Sequence, residues 1–440
     1  MMARQSSSTP PRSSAAAWLA VAALYTPAIS QAESLKDAWS MAVGSDQTLA
    51  AVRSEREAAE SERTAAERQR WPALDLVGSY TQLDHAPLLD ISTPAGQLQA
   101  PIWKRDGYAM ATADVSVPLW TSGRIRGSIG AAAAAVRGAA AQESRSTADL
   151  KLIVTESYVA VFRARKTLQV AETSVASLSA HARDVQAMYD KEAVARSDLL
   201  AAQVALAQAE QQRLRAANAL HLSTAAYNRW VGQPLDRTPE LEEPSLPSVS
   251  LDSASLDQLT HDAFERRPEL TAASAMQSAF EEAARAERAK SLPQVAVHAG
   301  FNHLDNQILD RQNFASIGIG FQWRLFDSGE LTARTRALHS RAHAADLKRG
   351  DLRSMIALEV EQAFYNRDEA AARIKVATGA VVQAEEDFRI ARELYGSGLG
   401  TNNQVLDAET RRIAALTNRD DANFDLIIAR YRLQRAIGEL

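Results

Sequence analysis

The chain has 440 residues, 46% of them hydrophobic but only 6% aromatic, and it carries a formal net charge of −5 and no cysteine. Its apolar residues are heavily alanine, which argues against several compact domains built on large core side chains and for helices packed closely side by side. The acidic balance gives no electrostatic case for nucleic acid, and the lack of cysteine excludes disulfides, a Cys-based metal site, a thiol nucleophile and a cysteine-borne lipid anchor.

Residues 1–32 have the make-up of a secretory signal: Arg4 and Arg12 in a Ser/Pro-rich lead, an apolar run from Ala15 to Tyr25, and a small-residue end, Ser30 to Ala32. The run is about half the ~20 residues a spanning helix needs, so cleavage after Ala32 is expected rather than anchoring. No later segment is long and apolar enough to be a transmembrane helix.

From Glu33 onward the sequence is duplicated. An offset of 221 pairs Ser34-Leu35 with Ser255-Leu256, Leu49 with Leu270 and Pro72 with Pro293; an offset of 206 then pairs Leu119 with Leu325, Ser122-Gly123 with Ser328-Gly329, Tyr189 with Tyr395 and Gly232 with Gly438. The difference is an insertion in the first copy, after Asp84. Two copies in register over most of their length define a repeat of residues 33–232, a Pro-rich linker of 233–254 and a second repeat of 255–440.

Each copy begins with a polar, Glu/Arg/Ala-rich helix, about Asp46–Arg70 and Pro268–Lys290, that stops at a proline. Two strands follow in each. Leu74, Leu76 and Tyr80 alternate with Asp75, Ser79 and Thr81, and Val115, Val117 and Leu119 continue the pattern; in the second copy Ile317, Ile319, Phe321, Trp323 and Leu325 oppose Ser316, Gly318, Gly320, Gln322 and Arg324. A Ser-Gly pair then ends each strand run, at Gly123 and Gly329, and a proline-free segment begins. A helix from about Arg124 to Met188 would be nearly 100 Å long at ~1.5 Å per residue. Its heptad, Val154 through Val161, Leu168, Leu178 and Val185 to Tyr189, recurs from Val360 to Tyr395 and is broken only by Arg367. After turns at 189–198 and 395–403, returning helices carry seams of Leu199, Ala202, Leu206, Ala209, Leu220 and Tyr227, and of Val405, Ala408, Ala415, Leu426 and Leu433.

Exported strands with one apolar face, feeding helices too long to cover a small sheet, fit a barrel in a bacterial outer membrane. Four strands cannot close one, because an open edge in lipid leaves backbone groups unpaired, so several chains must share it. The duplicated unit, with its strand ends "VPLWTSG" and "WRLFDSG" and its turn "YGSGLGTNNQVLDAETRR", resembles the TolC-type outer-membrane efflux protein family over about Glu33 to Leu440. The resemblance implies an α+β fold: a long antiparallel α-helical coiled-coil barrel, the periplasmic tunnel, joined to a transmembrane β-barrel with four strands per chain. It implies a homotrimer in the outer membrane, extending into the periplasm and conducting substrate passively as part of a tripartite efflux or type I secretion system. Its partners would be outer-membrane lipid, a periplasmic adaptor and an inner-membrane pump of the RND or ABC type. A periplasmic adaptor would share the helical hairpin but not the duplicated strand pairs.

The resemblance also assigns roles. The helix turns become the periplasmic tip, with Gly396, Gly398 and Gly400 in one turn; Asp407 matches a gate aspartate, Gln404 stands where relatives have a second one, Tyr395 matches the tip tyrosine and Asp198 its acidic partner. Gly400 stands where an arginine is often found. Gly123 and Gly329 become the hinges between barrel and tunnel. No cofactor is expected. His339 and His343 are four apart, but "HSRAH" lacks a metalloprotease glutamate, "GSGLG" lacks the lysine of a phosphate loop, and no catalytic arrangement stands out, so an enzyme is not expected.

Overall fold

The computed structural model describes residues 32–94, 96–103, 107–247, 254–305 and 310–440, so the expected signal segment lies outside the described residues except for Ala32. The first elements are α1 (Leu35–Ser45), α2 (Gln47–Arg68), β1 (Ala73–Gln82), β2 (Leu88–Thr93), β3 (Gly96–Pro101), β4 (Gly107–Trp120), α3 (Arg124–Tyr189) and α4 (Arg196–Trp230). Then come α5 (Leu256–Arg266), α6 (Pro268–Ala289), β5 (Gln294–Leu304), β6 (Asn313–Gln322), α7 (Glu330–Gly396) and α8 (Asn402–Ile437). Apart from β2 and β3, the second series repeats the first.

The expected first helix of each copy is present as α2 and α6, and a shorter helix, α1 or α5, precedes it. Ser34 caps α1 in a capping box with Asp37, and the chain breaks at Asp46, whose carboxylate accepts from Leu49 N and starts α2. Ser255 caps α5 by accepting from Gln258 N, and Pro268 opens α6 at a position where its missing N–H costs nothing. The insertion after Asp84 holds the β2–β3 hairpin, whose register runs from Leu88 opposite Pro101 to Thr93 opposite Gly96.

The main sheet is antiparallel with order β1-β4-β5-β6, so β1 and β6 are its edges. Cross-strand partners share a face, and the register aligns Leu74, Val115, Ala299 and Ile317 in one row and Leu76, Ala113, Phe301 and Ala315 in another. The opposite face carries the row Asp75, Asp114, Gly300 and Ser316. Leu76 is 79% exposed, Ile317 82% and Ile319 74%. Two expected strand positions differ. Leu119 falls in a bulge between Pro118 and Trp120, because proline brings no N–H to the ladder. Trp323, Arg324 and Leu325 lie beyond β6: its last residue, Gln322, pairs with Gln294, the first residue of β5, and Pro293 before it offers no further partner.

The long helices are 66 and 67 residues, each running from its Ser-Gly hinge to the tip turn, with the repeated seam along the half nearer the tip. Val154, Val161, Leu178, Val185, Val360, Ala370 and Val381 are buried on the expected stripe. Arg367, the one polar seam residue, is buried too: its guanidinium stacks over Phe364 at 4.5 Å and bonds Asp368. Near the tips the packing order is α4, α3, α8, α7; nearer the sheet it is α2, α3, α6, α7. One flank is therefore β1, α2 and α4, and the other is β6 and α7.

Away from the tips the helices are pinned by two polar clusters that pattern reading passes over. Glu33 is buried: it pairs with the linker at Leu241 and Arg237 and accepts from Tyr227 and Tyr158, and burial together with nearby carboxylates pushes both phenols up. At the head of α6, Arg267 meets Glu269 through two bonds of 3.0 Å, and Arg435 of α8 reaches the same carboxylate at 2.8 Å. Burial alone would raise the Glu269 pKa, but the bonds from Arg435 and Arg267 outweigh it and hold it at about 2.

Candidate functional site at the hairpin tips and strand-to-helix hinges

At both hinges the backbone turns from extended to helical through two successive left-handed residues. Ser122 and Gly123 have φ of 49° and 93°, and Ser328 and Gly329 have φ of 55° and 84°. A side chain at either glycine would meet no neighbour, so the requirement is conformational. The two hinges are anchored differently. Ser122 Oγ donates to Pro293 O at 2.6 Å, tying the first hinge to the start of β5, while Asp327 caps α7 through Gly329 N and Leu331 N.

At the far end, α3 reaches its turn at Tyr189 and α7 at Gly396. Gly398 is left-handed, with φ of 74°. Gly400 is not, but a Cβ there would stand 3.0 Å from Tyr395 N and 3.1 Å from Leu394 Cβ, because Leu399 N and Gly400 N both donate to Leu394 O. Gly396 has open space around it. The tight turn thus needs small residues at two of its three glycines.

Two of the expected gate residues are exposed and two are not. Asp407 is exposed and lines a groove of about 550 Å3 with Leu178, Val204 and Gln208, between α3, α4 and α8. Gln404, one turn earlier, is the third residue of α8, and its side chain bends back to accept from Thr401 N at 2.8 Å while Thr401 Oγ1 accepts from Gln404 N. It completes a capping box, which qualifies its expected part as a free polar residue of the gate. Tyr395 is 7% exposed, inside a cluster of Val185, Leu199, Ala202, Val405 and Ala408. Burial, helped by the charge of Asp198, raises its pKa, yet its hydroxyl has no hydrogen-bond partner, so no Tyr395–Asp198 bond forms within this chain.

The four helices are instead joined by two residues that pattern reading does not single out. His181 of α3, 5% exposed, places Nε2 2.7 Å from Asn402 Oδ1, and Asn402 Nδ2 donates at 3.1 Å to the main-chain carbonyl of Asp198 in α4. The Tyr395 ring lies 5.4 Å from the imidazole. His181 is three residues from the seam position Leu178 and next to Ala182; that placement, together with an asparagine opening α8 after the Thr401 cap, is the signal available in the sequence. His339 and His343 are exposed on α7, and no group of three or more metal-ligating residues occurs among the described residues.

Comparison with known proteins adds to this geometry. Residues 259–439 match the family model described as outer membrane efflux protein. No curated protein sequence matches the chain. Among solved structures, the outer-membrane channel OprN superposes with a TM-score of 0.77 at 18% identity, covering 92% of this chain and 90% of its own. The outer membrane protein VceC from Vibrio cholerae gives 0.76 at 18%, covering 92% and 96%. CusC, whose structures are described in terms of folding and transmembrane channel formation, gives 0.76 at 17%, covering 92% of each. Identities this low speak to fold alone, and the fold is a helical tunnel segment joined to a sheet segment. Residues 259–439 thus match the outer membrane efflux protein family model, and the chain as a whole shares the fold of solved outer-membrane channels.

Proposed function

We propose that the protein is the outer-membrane channel of a tripartite efflux or type I secretion system, closed by three copies of the chain and passively conducting substrate from an inner-membrane pump to the outside. The observation that carries this is the pairing of flanks. The sheet has unpaired edges at β1 and β6, and the helical layer has open edges at α2 and α4 on one side and α7 on the other. Since β1 continues from α2 and β6 runs on into α7, one rotation serves both layers: β6 and α7 of one copy meet β1, α2 and α4 of the next.

The exposed side chains support that rotation. Leu200, Val204, Leu214 and Leu222 form an exposed stripe on α4, and Leu347, Leu358, Tyr365, Val376 and Leu394 one on α7. Three copies of a four-stranded sheet give a barrel of twelve, within the range of closed outer-membrane barrels. The apolar sheet face of Leu76, Ile317 and Ile319 then meets lipid, and the row containing Asp75 and Asp114 faces the lumen. The chain is accordingly read as repeats 33–232 and 255–440 around a linker at 233–254, with the tips in the periplasm toward an adaptor. Asp407, one per chain, forms an acidic ring at the entrance. The test is to purify the protein in detergent and reconstitute it in a planar lipid bilayer: a trimeric native mass with discrete conductance steps is expected, and a monomer without conductance contradicts the proposal.

A further inference from the structure

We propose that the closed tip is latched by the buried His181–Asn402 bond rather than by a charged lock; this rests on the channel reading above. Near the tips, two side-chain links cross from the α3–α4 hairpin to the α7–α8 hairpin among the described residues. One is the ion pair of Arg392 with Asp184 at 3.8 Å, in which both side chains are more than half exposed. Exposed pairs of this kind hold little, and salt screens them. The other is the chain of bonds from His181 through Asn402 to the Asp198 carbonyl, with His181 5% and Asn402 2% exposed.

Its chemistry is directional. The Asn402 carbonyl can only accept, so His181 Nε2 carries the proton, and the Asn402 amide is fixed by donating to Asp198 O. Removing either partner leaves a buried donor or acceptor unmet, which is why a buried bond of this kind resists separation. Asn402 is the first residue of α8, so moving it swings the start of the helix that carries Asp407. Gly400 places no cation in the same turn, and Tyr395, whose hydroxyl is unpartnered, contributes ring packing beside the imidazole. Parting the hairpins therefore means breaking a buried hydrogen-bonded link.

The experiment is single-channel recording of the reconstituted full chain. His181→Leu and Asn402→Ala each raise the conductance severalfold, and combining them adds little more, because each cuts the same chain. His181→Gln, whose amide N–H can take the place of the imidazole Nε2, keeps the low conductance, and Asp184→Asn changes it little. Wild-type conductance, scaled to that of the bulk solution, does not climb from about 0.1 M to about 1 M salt, where the screening length falls from about 10 Å to about 3 Å. A channel in which His181→Leu conducts like wild type overturns the latch while leaving the channel reading intact. So does a scaled conductance that climbs steeply with salt. If Asn402→Ala fails to assemble, His181→Leu beside His181→Gln decides alone. A wild-type protein that never conducts fails at the earlier step and overturns both.

Discussion

At the scale of single residues, Glu269 shows how a buried charge is tolerated. Its carboxylate lies between Arg267 and Arg435, and Glu359 and Asp149 partner those arginines in turn. Glu269→Gln should lower stability by about 3 kcal/mol, the low end for breaking a buried pair, since each arginine keeps one acid. The folded-state pKa of about 2 lies below the ordinary 4.5, so the stabilisation is complete above about pH 4.5 and is lost as pH falls toward about 2. Thermal unfolding followed across that window should show the loss in the wild type and a shallower dependence in Glu269→Gln. Gly398 carries a different constraint: a side chain held at its φ of 74° costs about 1–2 kcal/mol, so Gly398→Ala should lower the melting temperature while Gly396→Ala does not. Asp407→Ala should reduce cation selectivity in a planar bilayer. Gln404→Asp should raise it without loss of stability, because an aspartate at that position can still complete the box, as Asp37 does with Ser34. Unchanged selectivity in Asp407→Ala would make it a solvated surface residue. These residues were unequally legible. Gly398 in the turn and Asp407 at the start of α8 stand in a motif that can be read, whereas Glu269, His181 and Asn402 depend on helices far apart in sequence arriving at one point.

At the scale of elements, the strands and long helices follow from periodicity, and their boundaries from the residues that break it. The Ser-Gly pairs fix where α3 and α7 begin, and the repeated seam carries them to within a residue or two of their ends at the tips. The short helices α1 and α5 ahead of the expected ones are harder to read, being only three turns long; the Ser34 and Asp37 box is the signal available for the start of α1. The bulge at Pro118 could have been read from the proline, whereas the early end of β6 at Gln322 depends on where β5 begins, which alternation alone does not encode. The sheet's two faces make a direct prediction. Arg at Ile319, on the apolar face, should destabilise the assembled protein by roughly 2–4 kcal/mol at mid-bilayer, and Arg at Gln322, on the other face, should be tolerated. Comparable heat resistance of the two variants in detergent would reverse the facing.

At the scale of the whole molecule, the duplication is legible because it rests on repetition, and the proposed sharing of one barrel by several chains rests on the impossibility of an open edge in lipid. The order of helices around the tunnel is not legible, because it is decided by which faces of α3 and α8 find each other, and only the folded chain shows that α4 and α7 are left as the flanks. That order makes the central claim testable by a cross-link, and the absence of cysteine makes the test clean. Leu214 of α4 and Val376 of α7 are exposed and lie at similar distances along the chain from their tips. Oxidising the variant that carries both Leu214→Cys and Val376→Cys in membranes should give a covalent species of three chains that runs as one band on a denaturing gel and disappears on reduction. Cross-linking confined to single chains, or an open ladder extending beyond three, would contradict a closed ring in which α7 of each copy meets α4 of the next.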